Sequence, residues 1–164
     1  MKYIKIIMAL LLLFTECNRL TQKEQVFFEK FEYEDFSKFK GCHLFYRGKD
    51  KEEGAFIAGF VPTRQENIDT ICFINVFIRE KNNYKLFHDS IYKNVDSVYI
   101  YSLTESFLAF QVSELQVDTI GNVFIALCKD KTTLFMFVNE EELQKRSKET
   151  KWEKIGGNWY KPKE

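Results

Sequence analysis

Three hydrophobic patterns follow one another along the chain, and each predicts a different kind of element. Residues 6–14 are continuously apolar. Between residues 22 and 39, Phe28, Phe31, Phe36 and Phe39 fall close to one helical stripe, with Glu29, Lys30, Glu32 and Lys38 off it. Thr21 followed three residues later by Glu24 has the spacing of a capping box, which satisfies orphan backbone amides at a helix start. Gly41 is a natural stop. The spacing therefore predicts an amphipathic helix over 22–39, packed on a core. From Cys42 onward the pattern shortens to strand-like runs at 42–47, 55–61, 70–79, 84–87 and 95–101. A charged turn at 48–53, Pro62 with a polar loop at 63–67, Asn82-Asn83 and a polar connection at 88–94 separate them.

The stretch 102–117 supports two readings. Ser102 and Glu105 have capping-box spacing, yet Leu108, Phe110 and Val112 alternate as a strand does, and the strand is preferred for 107–112. Residues 123–128 and 133–138 flank Lys129-Asp130-Lys131-Thr132 as a hairpin. Asn139 then caps a helix that opens on Glu140, Glu141 and Glu142 and continues with Lys145, Arg146, Lys148 and Lys151. This polarity suits the helix dipole and accounts for the charge run without a binding role. Gly156-Gly157-Asn158 is read as the end of that helix, and Trp159-Tyr160 as a last short strand. The order helix, strands, helix predicts an α+β fold. It consists of an antiparallel sheet of about six to eight strands with an N-terminal and a C-terminal helix, with an all-β fold as the alternative.

Composition narrows the function classes. The chain has 164 residues with 24 basic and 24 acidic side chains, so it carries no long-range field for nucleic acid. Its 17 Phe, 8 Tyr and 2 Trp, against 2 Pro, describe a packed domain, with the Phe side chains serving first as core. No linker splits residues 22–164, which read as a single domain.

The segment before that domain has its own logic. Lys2 and Lys5 precede the apolar run at 6–14, which is too short to span a bilayer as a helix of ~20 residues and has the layout of an export signal. Phe14-Thr15-Glu16-Cys17 follows. This stretch resembles the signal of bacterial lipoproteins, whose cleavage box ends on a lipid-accepting Cys. Phe14 stands where Leu is usual in that family, and Glu16 where a small residue is usual. The resemblance covers residues 1–17 only. It implies a signal peptide over 1–16, a lipid on Cys17, a short tether over 17–21, and attachment to the extracytoplasmic side of an envelope membrane. Secretion without a lipid is the alternative.

With Cys17 set aside, three cysteines remain: Cys42, Cys72 and Cys128. Cys72 and Cys128 sit in apolar strand-like runs and read as small hydrophobes, with a bridge between them left open. The chemistry-bearing candidates are weak. Cys42-His43 are adjacent on a predicted strand and point to opposite faces, so they form no dyad. Cys42 with His88, oriented by Asp89 or Asp96, remains open as a thiol-and-base arrangement. His88-Asp89-Ser90 lacks the Gly-x-Ser-x-Gly elbow of a hydrolase. No metal-ligand spacing and no phosphate loop is present in the sequence, and no cofactor is implied. Tyr99 and Tyr101, read as neighbours on one strand face, suit cross-strand packing better than ligand binding.

These readings favour a non-enzymatic envelope lipoprotein that binds a protein or another envelope component, of accessory or immunity type. A thiol- or His-dependent enzyme and a carrier of an apolar ligand are the alternatives.

Overall fold

A computed structural model describes residues 20–49, 54–65, 68–80, 83–88, 95–127 and 132–163. These residues form three α-helices and nine strands. In chain order they are α1 (Gln22–Phe31), β1 (His43–Lys49), β2 (Ala55–Gln65), β3 (Ile68–Glu80), β4 (Asn83–His88), α2 (Ser97–Ala109), β5 (Glu114–Val117), β6 (Val123–Leu127), β7 (Thr132–Met136), α3 (Glu140–Arg146), β8 (Trp152–Gly156) and β9 (Trp159–Pro162). All nine strands share one sheet in the order β4-β3-β2-β1-β5-β6-β7-β9-β8, every neighbouring pair is antiparallel, and the two ends are not joined. The α+β architecture stands, with nine strands rather than six to eight.

Two meanders build the sheet. β1 to β4 run outward strand by strand. α2 then brings the chain back so that β5 pairs beside β1, and β5 to β7 run outward the other way, extended by the β9–β8 hairpin. The register aligns side chains into rows across both meanders. Ile74 faces Gly59, Gly59 faces Leu44, and Leu44 faces Leu115, which continues through Ile125 to Leu134. Leu44, Ile74, Leu115, Ile125 and Leu134 are all 0% exposed. This row is the floor of the core, and each such side chain stabilises the fold by ~1.5–3 kcal/mol. Gly59 interrupts it because the row has no room there. A Cβ would stand 2.5 Å from the His43 carbonyl oxygen and 2.7 Å from Leu44 Cδ2.

Helices α1 and α2 lie on that inner face. Phe27 and Phe31 of α1, Phe36 and Phe39 beyond it, Ile100, Leu103 and Phe107 of α2, and Phe110 are all buried. Phe31 meets Phe110 edge-on at 4.9 Å, and Phe36 meets Trp159 at 5.9 Å. The Trp159 indole N–H donates to the Glu32 carbonyl at 3.2 Å, which ties the end of α1 to β9.

Several local expectations change. The predicted helix over 22–39 stops at Phe31, and a 3-10 turn follows at Ser37–Phe39. The Asp35 carboxylate accepts from the Ser37 backbone N–H at 2.8 Å, so a local side-chain bond replaces the helical ladder. The Thr21–Glu24 capping box forms as predicted. Residues 95–101, read as a strand, instead open α2. Asp96 accepts from the backbone amides of Val98 and Tyr99, both at 3.0 Å, and a helix with a wide buried face overrides the β-branched composition. The strand preferred for 107–112 is also replaced, because α2 continues to Ala109 and ends with Gln111 at φ 56°. Pro62 does not end the second strand; β2 runs on to Gln65 past the last residue that β1 pairs, where a missing N–H costs no ladder bond to β1. Asn139 caps the last helix as predicted, but α3 ends at Arg146, and Gly157-Asn158 is the turn between β8 and β9.

Candidate functional site

The row of residues beside the core floor points the other way. Phe73 pairs with Phe60 and Phe60 with His43. His43 pairs with Gln116, which continues through Phe124 and Phe135 to Tyr160. Paired residues share a face, so this is one outward line across seven strands, and five of its seven side chains are Phe or Tyr. A second outward line runs Glu114, Phe45, Ala58, Asn75, Phe87.

Over β2, β3 and β4 this face is bare. Ile71 is 60% exposed, Phe87 55%, Phe60 42% and Phe73 39%. The Phe60 and Phe73 rings pack across the strands at 5.0 Å, and Phe56 and Phe77 continue the aromatic surface at 6.4 Å. Scattered exposed apolar residues are ordinary on a protein surface; four on the same face of neighbouring strands form a patch. The border is polar and of mixed sign. His43 Nε2 pairs with Glu114 Oε1 at 2.5 Å, and the Arg47 guanidinium lies 5.6 Å from the Phe45 ring centre.

The predicted site residues fall elsewhere. Cys42 is 1% exposed, and burial pushes its thiol from the ordinary 9.0 to about 11, against the lowering effect of a bond with the Tyr99 side chain. A thiol held protonated at neutral pH is a poor nucleophile. Tyr99 in turn donates to the Lys38 carbonyl at 3.4 Å, and burial of its hydroxyl end raises it to about 12. Tyr99 and Tyr101 do not share a strand face. Tyr101 turns inward from α2 and stacks on Tyr84 at 4.1 Å, while Tyr99 latches α2 to the segment before β1.

The His88 backbone pairs with Ile74 at the edge of the sheet, three strand spacings or ~14 Å from β1 along the sheet. Asp89, Cys17 and Cys128 lie outside the described residues, so a Cys72–Cys128 bridge does too. The Cys72 thiol donates to the Phe73 carbonyl at 3.5 Å. No group of three or more His, Cys, Asp or Glu among the described residues is placed to hold a metal.

Sequence reasoning missed the outward patch, although a signal for it is present. Residues 70–79 are apolar at both strand parities, with Ile71, Phe73 and Phe77 interleaved with Cys72, Ile74, Val76 and Ile78. In an antiparallel sheet with one core face, apolar residues at both parities mean that the second face is also apolar.

Comparison adds no relative. The chain matches no protein-family model, no curated protein and no solved structure. No described helix is long and apolar enough to cross a membrane.

Proposed function

We propose that this chain is an exported envelope protein, anchored by a lipid on Cys17, whose domain binds a protein partner through the outward aromatic face of β2, β3 and β4. The observation that carries the reading is the patch of Phe60, Ile71, Phe73 and Phe87. Aromatic surface with a polar rim is the composition of protein interfaces, whose cores are enriched in Tyr, Trp and Phe. The mixed-sign rim favours a protein over a lipid surface, since segments that lie on anionic membranes are rich in Lys and Arg.

Geometry supports the same choice. α1 is the described element nearest to Cys17 in sequence, and it packs beside Leu127 and Trp159 rather than beside the patch. β6, which carries Leu127, lies four strand spacings or ~19 Å along the sheet from β3. Residues 17–21 extend at most ~17 Å. A lipid at Cys17 thus holds the end of the sheet away from the patch close to the bilayer and leaves the patch for a partner. The high value of the Cys42 thiol weighs against the thiol-enzyme alternative.

Two measurements test the reading. Metabolic fatty-acid labelling of the wild type incorporates label into the membrane fraction, and Cys17→Ala loses it. A photoreactive residue placed at Ile71 yields a discrete protein adduct in envelopes, absent when it is placed at exposed Tyr33. Label retained by Cys17→Ala removes the anchor; only lipid adducts at Ile71, or none, removes the protein partner.

A further inference from the structure

The outward aromatic line changes character past Gln116. There α3 and the chain entering β8 close over it and leave a cleft of about 310 Å³. We propose that this cleft binds a short neutral saccharide, at a site separate from the patch on β2–β4 and independent of the reading given for it.

The floor and one wall are rings. Phe135 meets Phe124 at 5.1 Å and 69°, and Trp152 at 4.7 Å and 67°. Crossed rings make a trough with two apolar planes, which suits the flat C–H face of a pyranose. Trp152 also meets Phe137 at 5.2 Å. Its indole Nε1 is buried without a hydrogen-bond partner, which leaves a donor beside the cleft for a ligand oxygen.

The rim selects the ligand class. Gln116, Arg146 and Glu149 line the cleft and are all exposed. Together they offer donors and acceptors of both signs. An apolar ligand would cover these groups and leave them unpaired. A simple anion would meet Glu149 and Asp118 as well as Arg146. Asp118 itself is occupied, since its Oδ1 accepts from the backbone amides of Ile120, Gly121 and Asn122 at 3.0, 2.7 and 2.9 Å. A neutral polyol with one apolar face satisfies floor and rim together, and the volume lies at the small end of ligand sites.

The chain has two tryptophans, which makes the test direct. Titrating the full chain in detergent with cellobiose, maltose or N,N′-diacetylchitobiose to millimolar concentration produces a saturable change in tryptophan emission with at least one of them. Trp152→Phe removes the change while Trp159, 1% exposed, keeps its core emission as the reporter of folding. Gln116→Ala weakens binding by about tenfold, or about 1.4 kcal/mol. If Trp152→Phe does not fold, Gln116→Ala decides the question alone. No saturable change with any of the three sugars overturns the proposal, as does a change that survives Trp152→Phe or is unaltered by Gln116→Ala.

Discussion

The two halves of the outward face start from the same material and end differently. Phe60 and Phe73 on one side of the His43–Gln116 junction, and Phe124 and Phe135 on the other, belong to a single register line. Over β2–β4 the line is left bare, with Phe60 and Phe73 about two-fifths exposed. Over β6 and β7 the same kind of side chain is half-buried under Trp152 and Phe137. Aromatic residues on an outer face are thus not sufficient to make a surface. What differs is whether later chain folds back, and the charged helix α3 with the chain entering β8 does so on one half only. The bare half has the character of an interface; the covered half has become a second, minor core with a cleft in it.

Because both halves stand on one inner row, the strongest way to break the comparison is to break that row. Leu115→Ala, at the junction of the meanders, costs ~3 kcal/mol and lowers the urea midpoint of both halves in one transition. Gly59→Ala, whose Cβ meets backbone, costs ~2–3 kcal/mol. Separate transitions for the two halves would show that they do not share a core.

Next in size is the contrast between outward phenylalanines. Phe135→Ser removes a half-buried ring packed against Phe124, Phe137 and Trp152 and costs ~2 kcal/mol. Phe87→Ser, on the bare half, changes stability by no more than ~0.5 kcal/mol. Equal losses in thermal or urea unfolding contradict the division between the halves.

The loop under the cleft adds a pH signature. Burial alone would raise the Asp118 carboxyl, but the Asn122 side chain and the amides of Gly121, Asn122 and Ile120 outweigh it, and the net shift is downward. A lowered folded value stabilises above the ordinary carboxylate range and is lost as pH falls through the folded value. Asp118→Asn therefore costs no more than ~1 kcal/mol at neutral pH, because solvent screens this partly exposed carboxylate, and it flattens the acid limb of stability below about pH 4. Cys42 gives the opposite limb. Its raised value favours the folded state below the ordinary 9.0, and that contribution is lost as pH rises toward about 11. Stability declines across that window, with the Tyr99 hydroxyl, also raised, acting in the same direction, and Cys42→Ala makes the decline shallower.

The parts of this fold that were legible in the sequence are those set by neighbours in the chain. Thr21 with Glu24, and Asn139 with Glu142, announce their helices because capping is a contact over three residues. The strands through Val76 and Ile125 announce themselves by composition. Residues 95–112 did not, because Val95, Val98 and Ile100 carry strand propensity, and it is the Asp96 cap together with burial of Ile100, Leu103 and Phe107 that makes 97–109 helical. The end of that helix is also silent in the sequence, since Gln111 adopts the left-handed conformation that a Gly usually marks. β5 and β8 were missed because each is short and owes its pairing to a distant partner. The outward lines need the register between strands far apart in sequence, so a list of phenylalanines cannot separate those that are core from those that are surface.

The central claim is that the bare half is covered in the cell and the cleft half is already covered by its own chain. Hydroxyl-radical footprinting of intact envelopes against the purified chain measures this residue by residue. The account predicts that Phe60, Ile71, Phe73 and Phe87 are protected in envelopes while Tyr33 and Phe135 react equally in both. Equal modification of those four residues in the two preparations would contradict it.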